Sequence, residues 1–92
     1  MTIHIRRAHG LNAEQARDTA DQLAKELAER FDVEHHWDEG VLYFARPGVN
    51  GEIRIDDGVI DITTELGFLF SALKPAVERE INRYLDEHFN PA

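Results

Sequence analysis

The chain has 92 residues, a formal net charge of −8, no cysteine and 42% hydrophobic residues. This length predicts one domain, residues 1–92, with a single modest core. The negative charge argues against nucleic acid as a partner, because the phosphates would be repelled. The absence of cysteine excludes disulfides, thiolate metal sites and cysteine nucleophiles.

The N-terminal segment lacks the apolar stretch of a signal peptide. No apolar run reaches the roughly 18 to 20 residues that a membrane span requires. We therefore expect a cytoplasmic protein without a membrane span.

The chain opens with a predicted strand, residues 2–8, in which Ile3 and Ile5 alternate with polar residues. A helix follows. Asn12 is placed to cap it, and Gln15 occupies the position that completes a capping box. An alanine-rich stripe at helical spacing then runs from Ala13 to Phe31 and predicts a helix that packs closely on its neighbour.

The middle of the chain predicts an antiparallel meander. Glu39-Gly40 and Asp57-Gly58 are typical of two-residue hairpin turns, and residues 47–51 predict a longer turn, with Gly48 and Gly51 as turn residues that permit positive φ. The hairpin turns also define the register, that is, which residues of neighbouring strands lie directly opposite one another and so share a face. They oppose Trp37 to Leu42, His35 to Phe44, Ile53 to Ile62, and Ile55 to Ile60.

One face of this sheet is then apolar and the other polar, as in a sheet that helices cover on one side only. The predicted polar face carries His4, Arg6, Glu34, His36, Tyr43, Glu52, Arg54, Asp56 and Asp61.

A last helix is predicted over residues 67–89, with Pro75 causing a kink or a fresh helix start. Its predicted buried stripe consists of Leu66, Phe70, Leu73, Val77, Ile81, Tyr84 and His88.

Phe68 and Leu69 are two further apolar residues that are not needed to complete this buried stripe. The favoured interpretation packs them on the first helix or the end of the sheet. In the alternative they form an exposed patch that meets a partner chain or an apolar surface. Tyr43, on the polar face of the sheet, is a separate candidate contact residue.

No catalytic, cofactor or metal site is predicted. His35 and His36 are adjacent on a strand and point to opposite faces. His36 and Asp38 share a face that His4 could approach, but this spacing is no metal signature. No carboxylate pair, nucleophile elbow or phosphate-binding glycine loop is present. We expect a protein that is not an enzyme.

Several segments, in order, carry a family resemblance: Ile3-His4-Ile5-Arg6-Arg7; the alanine-rich capped helix; residues 42–46 with Trp37; residues 48–53; and the most specific stretch, residues 65–75, Glu-Leu-Gly-Phe-Leu-Phe-Ser-Ala-Leu-Lys-Pro. Together they resemble the polyhydroxyalkanoic acid system family, also described as polyhydroxyalkanoate granule region proteins. The resemblance covers residues 2–89, with Phe70 where an aliphatic residue is expected. It implies a bacterial protein associated with storage-polyester granules or granule proteins, and no catalytic residue.

The predicted fold is a two-layer α+β domain of order β-α-β-β-β-β-α, with both helices on one face of the meander. The first strand joins an edge, beside either the second or the last strand. The last strand would keep the sheet antiparallel.

Three functions remain open. The first is a non-enzymatic accessory protein at the granule surface. The second is a small acyl or hydroxyacyl carrier with a cavity lined by Trp37, Phe44 and Tyr84. The third is a self-associating module, such as a homodimer, that uses Tyr43 and Val41 or an edge strand.

Overall fold

The computed structural model describes residues 1–56 and 58–88. Its elements follow the predicted order β-α-β-β-β-β-α, with a short 3-10 helix before the last α-helix. Their bounds are β1 Thr2–Ala8, α1 Ala13–Phe31, β2 Glu34–Asp38, β3 Val41–Arg46, β4 Val49–Asp56, β5 Val59–Leu66, the 3-10 helix Phe68–Leu73 and α2 Lys74–His88. Asp57 of the predicted second hairpin turn and Phe89 of the predicted last helix lie outside the described residues.

The five strands form one sheet in the order β1-β5-β4-β3-β2, and every neighbouring pair is antiparallel. β1 therefore lies beside β5, the predicted position that keeps the sheet antiparallel. Since the other four strands are neighbours in sequence order, only the step from β1 to β2 must cross the sheet, and α1 makes that crossing.

The register of the sheet is the one that the hairpin turns predict. In the β2–β3 turn, Glu39 and Gly40 have φ angles of 50° and 80°, as in the two-residue turns that match strand twist. The observed opposed pairs include Trp37–Leu42, His35–Phe44, Ile53–Ile62 and Ile55–Ile60.

The β3–β4 turn is shorter than predicted. It consists of Pro47 and Gly48 alone, because β4 already begins at Val49. Gly48 is a turn residue with a positive φ, 87°, whereas the prediction that Gly51 is a turn residue is wrong. Gly51 lies in β4 opposite Phe44, and a Cβ atom there would overlap the Phe44 ring. Gly51 makes room for an aromatic core residue and does not form a turn.

Helix α1 begins at its predicted cap. The Gln15 backbone N–H donates to Asn12 Oδ1 (2.8 Å), and the Asn12 N–H donates to the Gln15 side chain (3.3 Å), which confirms the capping box. Of the predicted stripe, Ala13 is exposed and Phe31 half-buried. The buried residues are Ala16, Ala20, Leu23, Ala24 and Leu27.

The last helical segment is interrupted close to Pro75, where the sequence predicts a kink or a fresh helix start. The 3-10 helix ends at Leu73 and α2 begins at Lys74, so Pro75 lies in a first turn, where its missing N–H is tolerated. The predicted stripe is wrong at Leu73, which is 37% exposed, and at His88, also exposed. A 3-10 helix has about 3 residues per turn, so an α-helical periodicity does not continue through it.

Both helices cover the same face of the sheet. Trp37 Nε1 on β2 donates to Asp21 Oδ1 of α1 (3.3 Å), and Arg7 on β1 binds Asp86 of α2 (2.7 Å). The largest buried apolar residues between the layers are Ile3, Leu23, Leu27, Leu42, Ile53, Ile60, Ile62, Ile81 and Leu85. The residues of the predicted polar face are all half-buried or exposed on the other side of the sheet.

Candidate functional site

One end of the sheet is formed where the start of β1 meets the end of β5. The Leu66 backbone N–H donates to the Met1 carbonyl (2.8 Å), and the Met1 ammonium donates to the Leu66 carbonyl (2.8 Å). The chain leaves β5 at Gly67 and enters the 3-10 helix Phe68–Leu73 immediately. Met1 and the 3-10 helix are therefore neighbours in space.

The β3–β4 turn supports the start of the 3-10 helix. The Gly67 N–H donates to the Gly48 carbonyl (2.7 Å), and a Cβ atom at Gly67 would lie 3.3 Å from that oxygen. At Gly48, with φ 87°, a Cβ atom would lie 2.5 Å from the Phe70 ring. Two glycines thus permit a close approach between the turn and the helix.

Phe70 is the anchor of the 3-10 helix. Its ring packs over Gly48, and the Arg46 guanidinium lies 5.0 Å from the ring centroid on a cation–π contact. Arg46 Nη1 also donates to the Phe31 carbonyl at the end of α1 (3.2 Å). Arg46 therefore connects α1, β3 and the 3-10 helix.

Because the Phe70 ring packs against the β3–β4 turn, the two preceding residues, Phe68 and Leu69, face solvent. Phe68 is 91% exposed and Leu69 is 85% exposed, so their favoured interpretation as core or sheet-end residues is wrong. Met1 and Leu73 are exposed as well, and these four are the exposed large hydrophobic residues in the described part of the chain. We call the group of Met1, Phe68, Leu69 and Leu73 the apolar end.

A shallow depression of about 320 Å³ accompanies the apolar end. No charged side chain lines it; its residues are Pro47, Gly48, Gly67, Phe68, Leu69 and Phe70. Burial of an exposed Phe or Leu side chain against an apolar surface contributes about 1.5–3 kcal/mol. Phe68 and Leu69 together could thus supply several kcal/mol to an attachment.

Tyr43 lies elsewhere. It is half-buried on the polar face of the sheet and stacks on His36, with the ring centroids 5.6 Å apart. Its opposed neighbour in β4 is Glu52, which accepts a hydrogen bond from Arg54 (3.4 Å) that raises the pKa of that guanidinium. The structure does not bring Tyr43 together with the apolar end, so a contact role for Tyr43 would use a separate surface.

The three residues predicted to line a cavity have separate surroundings. Trp37 is half-buried against α1, with Arg17 4.9 Å from its ring centroid. Phe44 fills the space over Gly51 in the core. Tyr84 stacks on His88 (4.1 Å between centroids), and burial raises the pKa of its phenol. Each ring is engaged by a different element.

The histidines of the polar face do not converge. His4 lies on β1 and His36 on β2, which form opposite edges of the sheet, so His4 does not approach His36. His4 Nε2 instead contacts Asp61 Oδ1 (2.7 Å) on the neighbouring β5. Among residues 1–56 and 58–88, no group of three or more His, Asp or Glu side chains is arranged to hold a metal ion. No helix in that part of the chain is long and apolar enough to cross a membrane.

Two members of the apolar end, Met1 and Leu73, do not follow from residue patterns alone. The β1–β5 pairing points to Met1, because it places the start of one strand beside the end of the other. The sequence predicts Leu73 in the core stripe, because that stripe continues α-helical spacing through the short helix before Pro75. Pro47 and Gly48, which support the site, are predicted only as turn residues.

Comparison with known families gives one match. The model of the family described as "Putative polyhydroxyalkanoic acid system protein" matches residues 3–89. Searches of curated proteins and of solved structures give no significant match. The matched range includes Phe68, Leu69 and Leu73 of the apolar end, together with the glycine contact beneath it.

Proposed function

Because the chain belongs to the family of polyhydroxyalkanoic acid system proteins, we propose that it is a non-enzymatic accessory protein of polyester storage. In this proposal it resides in the bacterial cytoplasm and attaches to the surface of polyhydroxyalkanoate granules. The apolar end is the attachment surface. The observation that carries the proposal is the 91% exposure of Phe68 beside the 85% exposure of Leu69.

The chemistry of the apolar end favours attachment over catalysis. The side chains that line its depression are those of proline, phenylalanine and leucine, with two glycines between them. None of these can transfer a proton or attack a substrate. The hydroxyl of nearby Ser71 donates to the Phe68 carbonyl (2.9 Å), and so serves the 3-10 helix.

The charge distribution also fits attachment by one end. The net charge of −8 keeps the remainder of the chain in water. Between Glu65 and Lys74 the sequence carries no charged residue, so the 3-10 helix itself brings no charged side chain to an apolar surface. A water-insoluble polyester presents such a surface.

The test is cosedimentation of the protein with purified polyhydroxyalkanoate granules. Phe68→Asp/Leu69→Asp removes two apolar contacts and adds two charges, so we expect the apparent affinity to fall about 100-fold or more, equivalent to about 3 kcal/mol. Because both residues are exposed, the free energy of unfolding should change by only about 0.5 kcal/mol.

The matched control is Ala13→Asp/Gln22→Asp, which adds the same charge at two exposed positions on α1. This variant should sediment like the wild type. Equal sedimentation of the Phe68→Asp/Leu69→Asp variant and the wild type would refute attachment through the apolar end. Equal losses in both double variants would attribute the effect to charge alone and refute it as well.

A further inference from the structure

A second surface feature adjoins the apolar end on its helical side. It is an open cleft of about 440 Å³ between the last turn of α1 and the first turns of α2. Three arginines, one carboxylate and two apolar residues line it: Arg30, Phe31, Ala76, Arg79, Glu80 and Arg83. Neither the family match nor the proposed attachment accounts for this composition.

Glu80 organises the cleft. It is only 9% exposed, and its Oε1 accepts a hydrogen bond from Arg83 Nη2 (2.5 Å) and forms an ion pair with Arg30 Nε (3.0 Å). A carboxylate at this depth requires such partners, because burying an unpaired charge is costly. The hydrogen bond and charge of Glu80 raise the pKa of Arg83. Glu80 therefore holds two guanidinium groups in place, one from each helix.

The lining of the cleft contains more guanidinium groups than carboxylates. It has three arginines and Glu80, while Glu87, 3.5 Å from Arg83 Nη1, and Glu26, whose charge also acts on Arg83, lie outside the lining. Within the described part of the chain, Arg79 takes part in no ion pair or hydrogen bond, and Arg30 uses only its Nε. Each guanidinium carries five N–H donors, so the cleft contains uncommitted donors beside a fixed scaffold.

This accumulation is unexpected in a chain with a net charge of −8. Abundant carboxylates are available to neutralise arginines, and Arg30 and Arg83 of the cleft both have such partners. Glu80 lies between these two guanidinium groups and offsets their repulsion, whereas the described residues include no carboxylate paired with Arg79. Arginine is also the side chain best suited to bind a carboxylate in a bidentate manner.

The two apolar residues of the lining determine which kind of anion fits the cleft. Phe31 and Ala76 present apolar surface next to the arginines, which favours an anion with an aliphatic body over a fully hydrated one. We propose that the cleft binds the carboxylate of a small aliphatic acid. Arg79 and the free donors of Arg30 hold the carboxylate, and the aliphatic chain lies on Phe31 and Ala76.

This site is separate from the attachment surface, although the two are neighbours. Arg46 marks the boundary, since it contacts both the Phe31 carbonyl and the Phe70 ring. Ligand binding in the cleft requires neither Phe68 nor Leu69. A failure of granule attachment and a failure of acid binding are therefore distinguishable.

The test is a titration of the isotope-labelled full chain with sodium hexanoate, followed by nuclear magnetic resonance at constant ionic strength. Sodium phosphate and sodium chloride serve as reference anions. We expect saturable shifts of the amides of Phe31, Ala76 and residues 79–83, with hexanoate binding more tightly than phosphate. Arg79→Gln should weaken hexanoate binding about 10-fold, the loss typical of one charge-assisted contact.

Arg54→Gln is the matched control, because it removes an exposed arginine from the polar face of the sheet. It should leave hexanoate binding unchanged. The proposal is overturned if hexanoate gives no saturable shift in the cleft, or if phosphate binds as tightly as hexanoate. It is also overturned if Arg79→Gln and Arg54→Gln behave alike.

Discussion

The two ends of the sheet are built from similar parts but present opposite surfaces. At the end opposite the apolar end, which we call the turn end, the β2–β3 turn lies with Gly58 and the segment His9–Asn12 that leads into α1. The His9 N–H donates to the Gly58 carbonyl (2.8 Å), and Asn12 caps α1. A depression of about 320 Å³ is present here as well.

The two depressions have the same volume but different linings. That of the turn end includes His9, Asn12 and Asp56, whereas that of the apolar end has no polar side chain. Exposed Phe and Leu side chains are therefore not a general consequence of ending this sheet. The turn end shows that this sheet can end in polar residues. The exposed apolar side chains of the apolar end are therefore not required by the fold and indicate an interaction surface.

The largest contrast between the ends is expected for glycine replacement. Gly48 and Gly40 both have positive φ, but only a Cβ at Gly48 meets another side chain, the Phe70 ring. Gly40→Ala should cost about 1–2 kcal/mol for its backbone conformation. Gly48→Ala adds an overpacking cost of about 1–3 kcal/mol. Urea unfolding of the two variants measures the difference.

The same two variants also test which end of the sheet attaches to granules. Displacement of the Phe70 ring by Gly48→Ala should weaken granule cosedimentation, and Gly40→Ala should leave it intact. Equal unfolding free energies for the two variants would contradict the close packing of the β3–β4 turn against Phe70.

A smaller contrast concerns the two ends of α1. Arg46→Met removes the bond to the Phe31 carbonyl and the contact with Phe70, at a cost of about 1–3 kcal/mol. Asn12→Ala removes the N-cap at a cost of about 1 kcal/mol. Thermal unfolding checks both values. Only Arg46→Met should reduce cosedimentation, and an equal reduction by Asn12→Ala would show that attachment responds to global stability.

The smallest effect is a dependence of stability on pH that arises away from the apolar end. Burial raises the pKa of the Tyr84 phenol above its ordinary value of 10.0, with smaller effects from Glu26 and Glu87. In the unfolded chain this phenol ionises at lower pH than in the folded chain. The contribution of this phenol to the free energy of unfolding is therefore fully present below pH 10 and is lost as pH rises through the folded-state pKa.

Tyr84→Phe removes that contribution, so its unfolding free energy should decline less steeply above pH 10 than that of the wild type. Urea unfolding at a series of pH values measures the two slopes. Identical slopes would show that the phenol has the same pKa in both states.

The sheet could be predicted because its signals are local and agree with one another. Two hairpin turns set one register, and both place large apolar residues on the same face, as at Leu42 and Ile53. The N-cap of α1 at Asn12 follows from residue types alone. The edge position of β1 beside β5 remained one of two alternatives, because strand order depends on contacts distant in sequence.

The errors arose where one residue type serves two purposes. The sequence predicts Gly51 as a turn residue, since it does not show that the Phe44 ring lies over this position. Exposure of Phe68 could not be assigned because apolar residues normally indicate a core. Glu80 was missed since a carboxylate in a helix usually faces solvent, and its partner Arg30 is 50 residues away in sequence.

The most direct measurement of attachment places a reporter on each surface. The chain has no cysteine, so Ala72→Cys in the 3-10 helix and Gln22→Cys on α1 each create one labelling position at an exposed residue. Both variants keep Phe68 and Leu69. Each is labelled with an environment-sensitive fluorophore and mixed with protein-free polyhydroxyalkanoate particles.

If the apolar end is the attachment surface, emission of the label at position 72 shifts to shorter wavelength as particles are added, while that of the label at position 22 stays constant. The account is contradicted if position 72 does not respond, or if both positions respond equally.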